Sequence, residues 1–166
     1  ILAEAMEELG VETGITAKSS NETFVSDCTI ETDQLALIPD SYIDLTAEKI
    51  RIYKELDSLT SEKELKHMSE RLADRFGPVP EELARLFDIV RIRQLGQKLG
   101  FEKIIIKNNV MIAFFISNPL SQYYRSNMFS KILENISLHP ALFELKQNDN
   151  RFVKEDGPMD CKLLLS

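Results

Sequence analysis

The sequence is poor in the residues from which disulfides and metal sites are built. It contains two cysteines, Cys28 and Cys161, and two histidines, His67 and His139, among 166 residues. The cysteines lack the dense, even spacing of a secreted disulfide framework, so we predict reduced, buried thiols and a cytoplasmic protein. Neither histidine has a second ligand at metal-binding spacing. We therefore predict no metal site and no cofactor.

Nucleotide-binding loops, nucleophile motifs and membrane spans are also missing. The six glycines stand apart from one another, and no stretch has the form G-x-x-x-x-G-K-[ST] or G-x-S-x-G. The longest apolar run, residues 110–116, is far shorter than the ~20 residues that a membrane-spanning helix needs. The sequence thus predicts a domain that is not an enzyme and does not cross a membrane.

The charge is unevenly distributed along the chain. The net charge is −7, and residues 1–44 contain ten acidic residues with Lys18 as their only basic residue. No later segment has a basic surplus that would attract phosphate, so we predict no direct DNA binding. Two alternatives stay open: a nucleic-acid-binding module that uses a basic face between Arg85 and Lys98, and an enzyme with an unrecognised carboxylate or thiol site.

Three helices are indicated between residues 45 and 99. The first is predicted from about Leu45 to Leu59, with Asp40 or Asp44 as its cap. Its buried stripe is predicted to contain Ile50, Tyr53 and Leu56. Ser61 and Glu64 have capping-box spacing and predict a second helix, 62–76. The third is predicted over 80–99.

A sharp corner separates the second and third helices. Gly77 stands where a helix commonly ends, because glycine reaches positive φ without a Cβ penalty. Pro78 cannot continue the helix, and Pro80 suits the first turn of the next one. Residues 74–82 therefore predict a helix end, a corner and a helix start.

Strand patterns surround the helices. A half-buried strand is predicted within residues 24–37 and a hairpin over 101–116, with Asn108 and Asn109 as its turn. A helix from Leu120 to about Leu138 follows, then strands over 142–147, 151–155 and 160–165. The predicted fold class is α+β: an antiparallel-type bundle of three helices, followed by a small mixed or antiparallel sheet with one more helix.

These residues also carry a resemblance to a known family. Ile38-Pro39-Asp40-Ser41-Tyr42-Ile43, Tyr53-Lys54 and Asp74-Arg75-Phe76-Gly77 with Pro80 resemble the carboxy-terminal domain of bacterial transcription-repair coupling factor. The similarity continues through Leu83, Leu86, Arg91 and Leu99-Gly100, so it covers roughly residues 35 to 103. Beyond residue 107 it is weak.

The resemblance implies a regulatory role within a larger protein. The family's parent protein is an ATP-driven DNA translocase that displaces stalled RNA polymerase and recruits nucleotide-excision repair. Its carboxy-terminal domain packs on an amino-terminal UvrB-like module and covers the surface that binds UvrA. On this reading, residues 1–22 are the tail helix of the preceding motor module with a linker. Residues 23–166 are the regulatory domain, truncated at its end.

The resemblance also suggests which residues matter. The candidates for the protein interface are charged: Lys54, Glu70, Arg71, Asp74 and Arg75. The structural motif residues are expected to build the core and the corner: Pro39, Tyr42, Tyr53, Phe76, Gly77 and Pro80. Arg71 stands where several relatives carry an acid, so no specific ion pair of the family is transferred to it.

Overall fold

The computed structural model describes residues 23–147 and 161–165. They fall into two compact units. The helical unit is Gln34–Gln94, and the sheet unit consists of the described residues on either side of it. No helix in the described part of the chain is long and apolar enough to cross a membrane.

Three helices build the helical unit: α1 (Thr46–Ser58), α2 (Glu62–Phe76) and α3 (Glu81–Leu99), the last as far as Gln94. Each helix contributes apolar side chains at steps of three or four residues to a shared core. The core side chains of the three helices are Ile52, Leu56, Leu65, Met68, Leu72, Leu83, Phe87 and Val90. The three predicted helices are thus confirmed.

The buried stripe of α1 differs from the prediction. Leu56 is buried as expected, but its partner is Ile52. Ile50 is 49% exposed and Tyr53 is 37% exposed. The sequence of α1 carries two overlapping apolar stripes, and only one of them can face the other helices. The predicted stripe was therefore wrong at two of its three positions.

The predicted cap of α1 was also wrong. The residue at the N-cap is Leu45, and no side chain accepts a hydrogen bond there. Asp40 instead forms an ion pair with Lys49. The carboxylate that was predicted to cap α1 thus pairs with a lysine in the first turn of the helix.

The start of α2 contains the predicted capping box. Ser61 Oγ accepts from the Glu64 N–H at 3.3 Å, and Glu64 Oε2 accepts from the Ser61 N–H at 3.0 Å. The Thr60 N–H donates to the same carboxylate oxygen at 2.9 Å. These donors, Thr60 first, hold the pKa of Glu64 below its usual value. The carboxylate is therefore favoured in its charged form.

This arrangement predicts an acid-sensitive contribution to stability. A group whose pKa is lowered by folding stabilises the fold above its unfolded pKa, and this contribution disappears as the pH falls through the folded pKa. We expect Glu64→Gln to lower the melting temperature near neutral pH, by an amount that shrinks below about pH 4. Thermal melts from pH 7 to pH 3 check this. Asp44→Asn, which changes an exposed carboxylate with no hydrogen-bond donor among the described residues, is the control variant.

The sheet unit contains one mixed sheet of five strands in the order β1-β2-β3-β5-β4. The strands are β1 (Thr29–Thr32), β2 (Phe101–Lys107), β3 (Val110–Phe115), β4 (Phe143–Gln147) and β5 (Cys161–Leu165). β1 runs parallel to β2, and the other neighbours are antiparallel. The α+β class is confirmed, and β1, which precedes the helices in sequence, joins the same sheet.

The hairpin turn follows the prediction, since Asn108 and Asn109 have φ of 53° and 59°. The strand predicted within 24–37 is confined to β1. Cys28 is a buried thiol. The tail helix predicted within residues 1–22 and the strand predicted over 151–155 lie outside the described residues.

The helix predicted from Leu120 begins later than expected. Gln122–Arg125 form a single 3₁₀ turn, and α4 (Asn127–Leu138) starts after it. Ser126 is the cap, because its Oγ accepts from the Phe129 N–H at 3.2 Å. The predicted helix is interrupted there, and Tyr123 lies in the core. It is fully buried, and its hydroxyl donates a hydrogen bond to the Leu99 carbonyl oxygen at 2.6 Å.

Candidate docking surface of the helical unit

All five interface candidates are exposed side chains of the helical unit. Lys54 lies on α1, and the other four lie on α2. Their surroundings differ. The two arginines are already paired within the unit, whereas the carboxylates and the lysine are not, and this difference decides which of them can serve a partner.

Arg71 and Arg75 on α2 each form an ion pair with a carboxylate on α1. Arg71 Nη2 lies 2.5 Å from Glu55 Oε1, and Arg75 Nη1 lies 2.5 Å from Glu48 Oε1. The residue numbers rise along one helix as they fall along the other, so α1 and α2 are antiparallel. Exposed ion pairs contribute only about 0–1 kcal/mol each. They therefore orient the arginines more than they stabilise the unit.

Glu70 and Asp74 form an acidic pair on the outward face of α2. They are four residues apart and so lie one above the other on the helix surface. Within the described part of the chain, neither side chain makes an ion pair or a hydrogen bond. The structure thus brings together two exposed carboxylates that form no ion pair within the described residues.

Lys54 is separated from this acidic pair. It lies on α1, about 100° around the helix from Glu55 and so away from the row of pairs that joins α1 to α2. Like the two carboxylates, its ammonium group has no ion-pair partner among the described residues. The five candidates therefore do not form one cluster.

The corner after Asp74 is fixed by Tyr42. The Tyr42 hydroxyl lies 3.0 Å from the Leu72 carbonyl oxygen and 2.9 Å from the Gly77 carbonyl oxygen. Its ring packs on Phe76, with centroids 5.8 Å apart. Burial raises the pKa of the Tyr42 phenol, so it stays a hydrogen-bond donor at neutral pH. Asp74 therefore lies in a helix end that is fixed by hydrogen bonds from the Tyr42 hydroxyl to the carbonyl oxygens of Leu72 and Gly77.

Gly77 has φ of 91° and ψ of −171°. The expected positive φ is confirmed, but this ψ belongs to a region that is essentially restricted to glycine, different from the left-handed helical region expected. The backbone leaves α2 more extended than a usual helix end. The direction in which the end of α2 is presented therefore depends on glycine.

The remaining motif residues organise the chain around this corner. The Pro39 carbonyl accepts from the N–H groups of Tyr42 and Ile43, at 3.1 and 3.0 Å. The Pro80 carbonyl accepts from N–H groups in the first turn of α3. Tyr53 Oη accepts from the Ile38 N–H at 2.8 Å. These contacts give each motif residue a local structural task.

The three arginines of α3 are paired with carboxylates. Arg85 pairs with Glu81, and Arg91 Nε lies 2.8 Å from Glu62 Oε2. Arg93 Nη1 lies 2.5 Å from Asp57 Oδ1. An arginine that already pairs with a carboxylate binds phosphate less readily, because the existing ion pair has to be broken first. This geometry disfavours the nucleic-acid-binding alternative.

Two residues of this surface were missed at the sequence level. Glu48 and Glu55 are seven residues apart on α1, which places them on one face two turns apart. Arg71 and Arg75, four residues apart on α2, also share one face. If α1 and α2 are assumed to be antiparallel neighbours, the sequence spacing predicts that these two glutamates face these two arginines. Among the described residues, no three histidine, cysteine or acidic side chains form a possible metal site.

Comparisons with known proteins give one consistent result. The sequence model of the TRCF domain family matches residues 32–126. A transcription-repair-coupling factor from Rickettsia prowazekii is 32% identical over 119 residues, which cover 71% of this chain and 10% of that protein. One from Escherichia coli K12 is 35% identical over 92 residues, which cover 52% and 8%. The chain spans about a tenth of the length of the curated relatives it matches.

A solved structure has the same fold. The crystal structure of a C-terminal domain of transcription-repair coupling factor matches with a TM-score of 0.62 at 20% sequence identity. The match covers 84% of this chain and 78% of that one. At this identity the likeness concerns the fold, while the family match depends on the sequence.

Proposed function

Because the chain belongs to the TRCF domain family of bacterial transcription-repair coupling factors, we propose that it is a non-catalytic regulatory domain of such a factor. It docks on the UvrB-like amino-terminal module of its parent chain and masks the surface that binds UvrA. Its connection to RNA polymerase runs through the parent protein. It acts in the cytoplasm, without cofactor, and does not itself bind DNA.

The observation that carries this proposal is the unpaired acidic pair Glu70 and Asp74 on the outward face of α2. Exposed carboxylates on a helix end of fixed geometry fit a surface that presents arginine or lysine. Such complementary charges contribute specificity and alignment more than raw affinity. Arg71 and Arg75 flank the pair and are held by Glu55 and Glu48, so they limit how a partner can approach.

Weak contacts suffice because the two modules belong to one chain. A tethered partner acts at an effective concentration on the order of millimolar. Opening then requires only a few kcal/mol of differential binding to the open form. Engagement of the parent protein with DNA and RNA polymerase supplies that difference. The domain thereby keeps UvrA recruitment off until the protein is bound to its substrate.

The test is a charge reversal at Asp74 in the full-length parent protein. We expect Asp74→Lys to tighten UvrA binding by about tenfold, because a lost docking contact shifts the equilibrium towards the open form. Asp44→Lys is the matched control, since it makes the same charge change on an exposed carboxylate outside α2. UvrA affinity is measured for both variants by surface plasmon resonance.

A melt of the 166-residue chain with each substitution shows whether the fold is preserved. If Asp74→Lys melts normally and UvrA affinity stays at the unsubstituted value, Asp74 is not part of the docking contact. If both lysine variants tighten UvrA binding equally, the effect comes from net charge and not from the acidic pair of α2.

A further inference from the structure

We propose that β4, an outermost strand of the sheet, pairs with β4 of a second copy of this chain about a two-fold axis. This inference does not depend on the proposed function. It concerns the sheet unit, whereas the acidic pair lies on the helical unit.

The first observation is the free edge of β4. The sheet order places β4 at one end, hydrogen-bonded to β5 on one side only. None of the strand's residues makes a further strand pairing on its other side within the described part of the chain. An exposed edge is a template for another strand, and proteins usually block it with charged side chains, proline or a bulge. Phe143–Gln147 has no proline.

The second observation is a self-complementary charge pattern. Glu144 and Lys146 flank Leu145, and their side chains are 62% and 54% exposed. Within one chain they pair with each other, with 3.4 Å between Lys146 Nζ and Glu144 Oε1, and pairing of two copies exchanges this contact for pairs between the strands. In an antiparallel pair centred on Leu145, Glu144 of one copy stands opposite Lys146 of the other, and the reverse pair forms on the other side of the axis. A like-charged strand would repel its copy, whereas this one attracts it.

The third observation is apolar surface beside the same edge. Leu145 is 45% exposed although it shares a face of the strand with buried Phe143. Leu142, the residue just before β4, is exposed as well. Pairing through Leu145 places two copies of this side chain next to each other. The dimer thus removes apolar surface from water, which the single chain does not achieve.

The interface is small, and the association is expected to be weak. Five residues from each copy bury much less surface than the roughly 1,200–2,000 Å² of a stable interface. We expect a reversible dimer with a dissociation constant on the order of 100 µM, which corresponds to a transient contact. Sedimentation equilibrium of the 166-residue chain, at concentrations bracketing this value, detects it.

Charge-swapped variants identify the interface. Glu144→Lys and Lys146→Glu each turn both cross-strand pairs into like-charge pairs, and each should weaken self-association by roughly tenfold or more. The double variant Glu144→Lys/Lys146→Glu restores opposite charges and should dimerise like the original chain. An equimolar mixture of the two single variants should form a heterodimer, because the strand with two lysines then lies opposite the strand with two glutamates.

The double variant and the mixture distinguish a role of Glu144 and Lys146 in the interface from a role in folding. A mere loss of fold in the single variants would not be repaired by mixing them. The proposal is overturned if the original chain stays monomeric throughout the concentration range. It is also overturned if dimerisation is unaffected by the single variants, or if neither the double variant nor the mixture recovers it.

Discussion

Replacing Gly100 with alanine is expected to lower the free energy of unfolding of the sheet unit by roughly 2–6 kcal/mol, the sum of backbone strain and overpacking. Gly100 has φ of 84°, a conformation that residues with a Cβ rarely adopt. A Cβ at this position would lie 2.2 Å from Cε2 of Tyr123. The Tyr123 ring cannot retreat easily, because it is fully buried and its hydroxyl is bonded to the Leu99 carbonyl.

Gly77 provides the matched comparison. Its φ is also positive, at 91°, but a Cβ built there meets nothing within 4 Å. Gly77→Ala therefore costs the strain alone, roughly 1–3 kcal/mol. The difference between the two variants separates the clash with Tyr123 from the cost of the positive φ that both glycines share.

Native-state hydrogen exchange measures the loss of stability caused by each substitution separately in the sheet unit and in the helical unit. Amides of β2 and β3 should lose most protection in Gly100→Ala, and amides of α2 should lose a smaller part in Gly77→Ala. Equal losses in the two variants would mean that Tyr123 does not press on Gly100. An unchanged exchange pattern in Gly77→Ala would mean that the corner does not require glycine.

The parts of the fold that could be predicted are those encoded by neighbouring residues. Ser61 and Glu64 form their capping box within four positions, so the start of α2 was predictable to the residue. Asn108-Asn109 likewise contains its own turn conformation. In both cases the determining interactions lie within a few residues, and no distant contact competes with them.

The errors arose where distant contacts decide. On α1, local periodicity cannot choose between the stripe with Ile50 and Tyr53 and the stripe with Ile52 and Leu56, because both recur at helical spacing. Packing against α2 and α3 selects Ile52. Near Leu120 the local pattern is helical, but burial of Tyr123 and the Ser126 cap delay the helix to Asn127. Neither the buried stripe of α1 nor the start of α4 can be predicted from a few neighbouring residues.

The candidate surface shows the same division. The exposure of Glu70 and Asp74, which the sequence analysis did not derive, agrees with the helical period, because both lie opposite the apolar stripe of α2. The pairing of Arg71 with Glu55 did not, since it joins residues 16 positions apart on separate helices. Sequence reasoning therefore identified the charged residues but could not tell the free carboxylates from the arginines that are engaged within the unit.

The proposed masking role leads to the prediction with the largest effect on function. If the domain covers the UvrA-binding surface, a parent protein that lacks residues 23–166 cannot close. We expect this truncated protein to bind UvrA on the order of 100-fold more tightly than the full-length protein, because the coupling free energy of docking is lost. The effect exceeds that of Asp74→Lys, which removes one contact of several.

Adding the domain back separates masking from other effects of truncation. The isolated 166-residue chain, supplied in excess to the truncated protein, should restore weak UvrA binding only at high concentrations, because the tether is gone. The same chain with Asp74→Lys should restore it less well, and the chain with Asp44→Lys should restore it equally well. Restoration by an unrelated acidic protein would show that charge alone is responsible.

The most direct test of the account is therefore the affinity of UvrA for the parent protein with and without residues 23–166, measured by surface plasmon resonance in the absence of DNA and RNA polymerase. The account predicts weak binding to the full-length protein and strong binding to the truncated one. Equal affinity for the two proteins would contradict it.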